Sequence, residues 1–249
     1  METNYRSNNF QEIHAKMVFQ EVMNRSRIRE VSWLSGILKY VILSRIRDLS
    51  SSKQPVMIYD INSHPYGISY ENWIRLWWKW LISIQKDKNP AFDPTGHSCA
   101  ISQDSPLVWF LAGTFGGSID RKCVIPNGKA ILFPIINYEC SFADAPSIRT
   151  EEELEEQCRH EIDQIGDIYA SIDGMQIDVQ NYRVKSRCFT VDIPHNNCLG
   201  ANKGTTRIAC DGYWLFIEPP PTGNHVLKSF GSCLAGKIQI GCTFRLTIK

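Results

Sequence analysis

A chain of 249 residues, 43% of them apolar, is long enough for one large domain or two small ones and has the material for a substantial core. Its formal charge of +1, with acids and bases interspersed, leaves no broad positive field for a nucleic-acid backbone, so no nucleic-acid partner is expected.

The charges are unevenly placed. Residues 1 to 53 carry nine Lys/Arg against five Asp/Glu, which sets off a basic head. Within it, VSWLSGILKYVILS (31 to 44) is apolar, interrupted by Lys39 and flanked by RSRIR and RIR. It is shorter than the ~20 residues a helical membrane span requires. Three readings stay open: an amphipathic helix packed on the body, a membrane-surface helix giving peripheral contact with lipid headgroups, or a signal-sequence remnant without a clear cleavage site. A polar linker, SSSKQP (50 to 55), then separates a helical N-terminal extension, 1 to 55, from a single body, 56 to 249. There is no internal repeat and no low-complexity tract.

The body opens with NWIRLWWKWL (72 to 81), which holds four of the chain's seven tryptophans. Ser69 suits an N-cap and Glu71 the first turn. Trp73, Leu76, Trp77, Trp80, Leu81 and Ile84 then repeat at helical spacing as a core-facing stripe. Trp78 lies roughly 100° around the helix from Trp77, at the edge of that stripe, where a ring can line a cleft.

KNPAFDPTGHSCAIS is next, a loop rich in turn formers. PLVWFLAGT (106 to 114) and KAILFPIIN (129 to 137) are nearly continuous apolar runs of strand length, the pattern of central buried strands. Thr150 and Glu153 form a capping box for a second helix whose inner face is Leu154, Cys158, Ile162 and Ile165. Asp173-Gly174 marks a two-residue hairpin turn. RCFTVDI, YWLFIE, HVLKSFG and KIQIGCTFRLTI read as a closing antiparallel series. The expected fold is therefore mainly β, a β-sandwich or jelly roll with a few helices.

Several chemistries are excluded. There is no G-x-S-x-G elbow, no G-x-G-x-x-G, and no phosphate-loop lysine after the Gly113 to Gly117 run. His160-Glu161 begins an H-E-x-x-H pattern that fails because Gln164 replaces the second ligand. His195, Cys198 and Cys210 are too loosely spaced for a zinc set. No C-x-x-C occurs, and no metal or cofactor is expected. What remains is a scatter of polar residues at strand ends: Gln103, Asn137, Glu139, Asp211, Tyr213 and His225. Such a carboxylate beside apolar strands works as an acid or base, and a histidine carries protons near neutrality. Each is also an ordinary turn cap or rim charge.

Those residues sit in longer motifs. S-Y-x-x-W-x-x-x-W-W-x-W, NPAFDPTGHSCAISQDSPLVWFLAGTFGG, RKCVIPNGKAILFPIINYEC and DGYWLFIEPPPTGNHVLKSFG resemble a family of mostly secreted, mostly uncharacterised bacterial and archaeal proteins. The resemblance covers about residues 66 to 248 and leaves the basic head outside. An archaeal branch of that family, described as variochelin-lactonase-like, opens acyl-homoserine lactones. No catalytic set carries over residue by residue. The resemblance implies export to the cell surface or beyond, a Cys99–Cys123 bridge, and ester or lactone hydrolysis. Cys99 and Cys123 flank PLVWFLAGT, and closing that loop would add roughly 3 kcal/mol in a chain-entropy estimate. Cys140 with Cys158 is the second expected pair.

Two functions of different class are compatible with these residues. One is a lactone or ester hydrolase, with Glu139 or Asp211 as base, His225 as proton carrier, and Trp78 and Trp109 against an acyl chain. Gln103, Asn137 and Tyr213 would then be neutral donors to the oxyanion. The other is a non-catalytic extracellular module that binds an amphiphilic ligand on its aromatic residues.

Overall fold

This computed structural model describes residues 56–233 and 237–249. The expectations for residues 1 to 55, including membrane contact through 31 to 44, lie outside the described residues. The β-rich unit runs from Pro55 to Lys249.

Two five-stranded sheets face each other. The first has the order β1 (Val108–Phe110), β3 (Ala130–Ser141), β8 (Gly204–Ile217) and β6 (Arg183–Lys185), with β7 (Phe189–Ile193) also paired to β8. The second has the order β2 (Gly117–Ile125), β10 (Ile238–Ile248), β9 (Gly223–Cys233), β4 (Ile165–Ile172) and β5 (Met175–Gln176). Ile131, Phe133 and Leu215 from the first sheet and Leu227, Phe244 and Leu246 from the second share one buried cluster. The architecture is a β-sandwich. It departs from a fully antiparallel jelly roll at β1–β3 and β2–β10, which pair in parallel.

The apolar run at 129 to 137 is central, as its composition predicts. PLVWFLAGT instead yields a three-residue edge strand, β1, whose neighbour is β3. β3 is buried on both faces over its first half: Ile131, Phe133 and Ile135 face the second sheet, while Ala130 and Leu132 face helix α1 (Tyr70–Ser83).

Helix α1 starts where the sequence places it, with Ser69 Oγ accepting the Asn72 N–H at 3.3 Å. Trp73, Trp77, Trp80, Leu81 and Ile84 are buried as the stripe requires, but Leu76 is 40% exposed, and Ile74, Trp78 and Ile82 are buried as well. The helix is covered on a wider arc than one stripe because it packs on β3 and β8 and is overlaid by the 3-10 turns at Pro65–Gly67, Pro90–Phe92 and His97–Ala100. The tryptophans also act as latches. Trp73 Nε1 donates to Pro65 O at 2.9 Å, Trp77 Nε1 to Leu111 O at 2.9 Å and Trp80 Nε1 to Ile101 O at 3.1 Å. Each indole combines a large buried area with one hydrogen bond to a different passing segment. Trp78 makes no such bond.

Helix α2 (Glu151–Asp163) has both halves of the Thr150–Glu153 capping box and buries Leu154 and Cys158 against Cys140 and Ala209; Ile162 is buried as well, while Ile165 lies past the helix, at the start of β4. Asp173 and Gly174 have φ of 51° and 85°, the positive values a tight hairpin turn between β4 and β5 demands. Cys99 and Cys123 form a disulfide, which fastens the 93–99 loop to the edge strand β2. The expected Cys140–Cys158 pair is not formed. The two thiols share a small buried cluster, but each is free, and Cys158 Sγ is taken by Ala209 O at 3.3 Å.

Strand β3 carries one irregularity, midway along its length. Pro134 pairs with Trp214 and Ile136 with Tyr213, so Ile135 is an extra residue, a β-bulge. Ile135 belongs to the inter-sheet cluster, and Ile136 also meets the second sheet, at Gly231. The bulge therefore inverts the alternation, and Asn137 and Glu139 leave the set that faced the second sheet. Gly212 on β8 makes room for this: a Cβ there would lie 2.6 Å from Asn137 Cβ and 2.7 Å from Ile136 O. Gly212→Ala should cost about 1–3 kcal/mol by overpacking, and Trp77→Ala about 3–5 kcal/mol as a core truncation. Urea unfolding of both variants checks this, and a wild-type midpoint for Gly212→Ala would show that the bulge does not need glycine.

Candidate functional site

A cavity of about 330 Å³ opens where β3 runs past its bulge. Its walls come from four places: Trp77, Trp78 and Leu81 of α1; Pro134 to Glu139 of β3; Glu161, Ile162 and Ile165 around the end of α2; and Cys233, Ile238 and Ile240 of the second sheet. Gly113, Thr114 and Phe115 close one side. Behind that side lies Arg121, 2% exposed, whose guanidinium donates to the carbonyls of Ala91, Asp93, Ala112 and Gly113. A buried cation is costly unless its donors are satisfied. Here they hold two loops, and through them the wall.

Three residues that line this cavity each carry a buried side-chain atom with no partner among the described residues: Trp78 Nε1, Asn137 Nδ2 and Glu139 Oε2. Buried polar groups are nearly always hydrogen-bonded, and each exception calls for a reason. Glu139 is partly exposed as a residue, yet its Oε2 is sealed from water. Burial, together with the charge and hydrogen bond of neighbouring Asp144, pushes its carboxyl well above the ordinary range. Asp144 is held by Ser141, whose backbone N–H and Oγ donate to Oδ1 at 2.9 and 2.6 Å. Glu139 in turn helps to raise the thiols of buried Cys140 and half-buried Cys198, each to about 12, with burial the larger cause. Those thiols are not activated nucleophiles.

The other residues singled out in the sequence lie elsewhere. Asp211 is 1% exposed and spent on structure: Arg183 Nη2 donates to it at 2.7 Å, and it accepts the Gly212 N–H at 2.7 Å. Arg183 also binds Asp163 at 2.7 Å, tying α2 to the sheet. His225 is held between Asp173, with Nδ1 to Oδ2 at 2.8 Å, and Pro221 O, at 2.8 Å from Nε2. It sits near the start of β9, whereas Cys233 at the strand's end lines the cavity; from 225 to 233 is eight residues, about 26 Å of extended chain. The expected Glu139–His225 pairing is therefore not formed, because the two residues occupy opposite ends of the sandwich. Gln103 latches a loop, with Nε2 donating to Cys99 O and Phe110 O and Oε1 accepting the Phe110 N–H. Trp109 and Tyr213 pack with the inter-sheet cluster. Of the strand-end residues, the cavity brings together Asn137 and Glu139, and Trp78 joins them from the helix.

Sequence reading missed Asp144, Glu161, Tyr138 and Phe115. Glu161 was in view as part of the failed H-E-x-x-H pattern, and helical spacing from Ile162 and Cys158 does not by itself aim it at β3. Among the described residues, no group of three or more His, Cys, Asp or Glu is placed to hold a metal ion.

No family model matches the chain. Two uncharacterised proteins of Saccharomyces cerevisiae are each 40% identical to it over 42 residues. That stretch is 17% of this chain and 66% of theirs, so the match spans just under two thirds of their length. No solved structure matches.

The raised Glu139 carboxyl has a stability consequence. The folded state holds this proton more tightly than the unfolded chain does. The contribution is fully present below the ordinary glutamate value of 4.5 and is lost as pH rises through the higher value in the fold. Glu139→Gln has no such proton to lose. Its melting temperature relative to wild type should therefore climb as pH is raised above about 4.5, which thermal melts of both proteins across pH would reveal. A difference that stays constant with pH would mean the carboxyl is not perturbed.

Proposed function

We propose that this cavity binds a small amphiphilic ester or lactone and opens it with water. The observation that carries the reading is that three residues lining one largely apolar cavity each carry a partnerless polar atom. Two are neutral N–H donors and the third belongs to a carboxyl whose proton is held well above the ordinary glutamate value. Acyl transfer to water needs such a set.

Ionised Glu139 takes a proton from a water molecule as the water oxygen adds to the carbonyl carbon. Negative charge develops on the carbonyl oxygen, where Asn137 Nδ2 and Trp78 Nε1 donate hydrogen bonds. The bond from carbon to the ring or ester oxygen then breaks, and Glu139 returns its proton to that oxygen, giving a free acid and an alcohol. A carboxyl with a raised pKa suits both halves of this cycle. Asp144 is a positioning residue, since it adds to burial in raising the proton affinity of Glu139. The Cys99–Cys123 bridge supports placing the protein in an oxidising compartment, at or beyond the cell surface.

One feature favours a non-catalytic binding module instead: among the described residues neither Ser nor His lines the cavity, so turnover rests on carboxyls alone, with Glu139 as the base. Proton release by the full-length protein on a panel of lactones and esters separates the two. Glu139→Gln should lose about 10²-fold or more in kcat/KM. Turnover unchanged in that variant contradicts the assignment, and ligand binding without any turnover establishes the binding module.

A further inference from the structure

The cavity's charge is one-sided. Glu139, Asp144 and Glu161 contribute carboxyls, while among the described residues no Lys, Arg or His lines it. Lys86, near the Phe115 side, has its Nζ over the Phe92 ring at 5.1 Å from the centroid and is not a lining residue. Arg121 is behind the wall with its guanidinium committed to backbone carbonyls. The remaining walls are aromatic in good part, through Trp77, Trp78, Tyr138 and Phe115.

We infer that the ligand of this cavity carries an amine cation next to the ester or lactone carbonyl, an inference that rests on the proposed hydrolysis for its carbonyl half. Three observations point the same way. Glu139 Oε2 is sealed and lacks a donor. Trp78, 3% exposed and a lining residue of the same cavity, has a partnerless N–H, so a ligand with an acceptor as well as a donor suits it. Among the described residues, the carboxyls are not grouped to ligate a metal ion. Ring faces together with carboxylates suit a soft, bulky ammonium better than a hard ion that demands an oxygen shell. Among the described lining residues an anionic ligand would meet carboxyls and no counter-charge.

The ammonium takes the place of the proton that Glu139 otherwise keeps. It also leaves Asn137 and Trp78 free to hold the carbonyl oxygen, which explains why a carboxyl and two neutral donors share one space.

Choline and its neutral near-isostere 3,3-dimethylbutan-1-ol test the charge directly, by calorimetry on the full-length protein. Choline should bind at least about tenfold more tightly. That preference should fall to within about twofold in the Glu139→Gln/Glu161→Gln double variant, with Trp78→Phe as a milder variant that weakens choline while retaining an apolar ring. Equal affinities for the two probes overturn the inference. So does a preference that survives the double variant in folded protein, because the cation then sits elsewhere. Turnover is read separately, on an amine-bearing lactone and its N-acylated counterpart. Choline selectivity without turnover of either lactone overturns hydrolysis and keeps the cation site. Faster turnover of the acylated lactone without choline selectivity overturns the cation site and keeps hydrolysis.

Discussion

A strand that is apolar on both faces cannot be left open to water on either, and β3 imposes that requirement on the rest of the body. Its inward residues Ile131, Phe133 and Ile135 need the second sheet, and its outward residues Ala130 and Leu132 need a cover on the other side. Helix α1 is that cover. Four tryptophans within ten residues supply enough area to roof β3, β8 and β1 with a single helix. Three of their indole N–H groups fix the segments that surround it. The tryptophan cluster is thus explained mainly by burial, and Trp78 is the member left with an unspent donor.

The site arises where this double coverage ends. Beyond the bulge at Ile135, β3 turns polar, and its side chains change faces. Asn137 and Glu139 then enter a space too apolar to solvate them and too open to be filled by neighbours. Desolvation of a carboxyl favours its neutral form, and Asp144 adds a second push in the same direction. Fold and chemistry are coupled at Gly212, because any side chain there would displace Asn137. Arg121 supports the arrangement from behind by holding the two loops that form the wall.

Local signals were legible in the sequence because they depend on neighbours in the chain. The Ser69 cap, the Thr150–Glu153 box, the Asp173-Gly174 turn and the apolar β3 run all belong to this class. Convergence was not legible. Glu139 and His225 both stand at strand ends, and nothing in their local context tells which end of the sandwich each occupies. The direction of β9 decides it, and that direction is a property of the sheet. Asp211 misled for a related reason: its partner Arg183 is 28 residues away, on a short strand with little periodicity to announce it. The Cys140–Cys158 expectation failed on a finer scale, since packing two thiols in one cluster does not align them for a bond. Asp144 and Glu161 could not be assigned to a site because a loop acid and a helix acid look like solvated charge until the cavity is built around them.

The central claim is that Glu139, a lining residue of the cavity, keeps its carboxyl proton to a pH well above the ordinary glutamate value, with its Oε2 unpartnered among the described residues. Carbon-detected NMR of protein labelled at the glutamate side-chain carboxyls tests it most directly, by titrating each carboxyl individually. One signal should stay in the protonated range at a pH where the exposed glutamates have ionised, should disappear in Glu139→Gln, and should move when a cavity ligand is added. If every glutamate carboxyl titrates together near the ordinary value of 4.5, the Glu139 site does not exist in the form described, and the chemistry built on it falls with it.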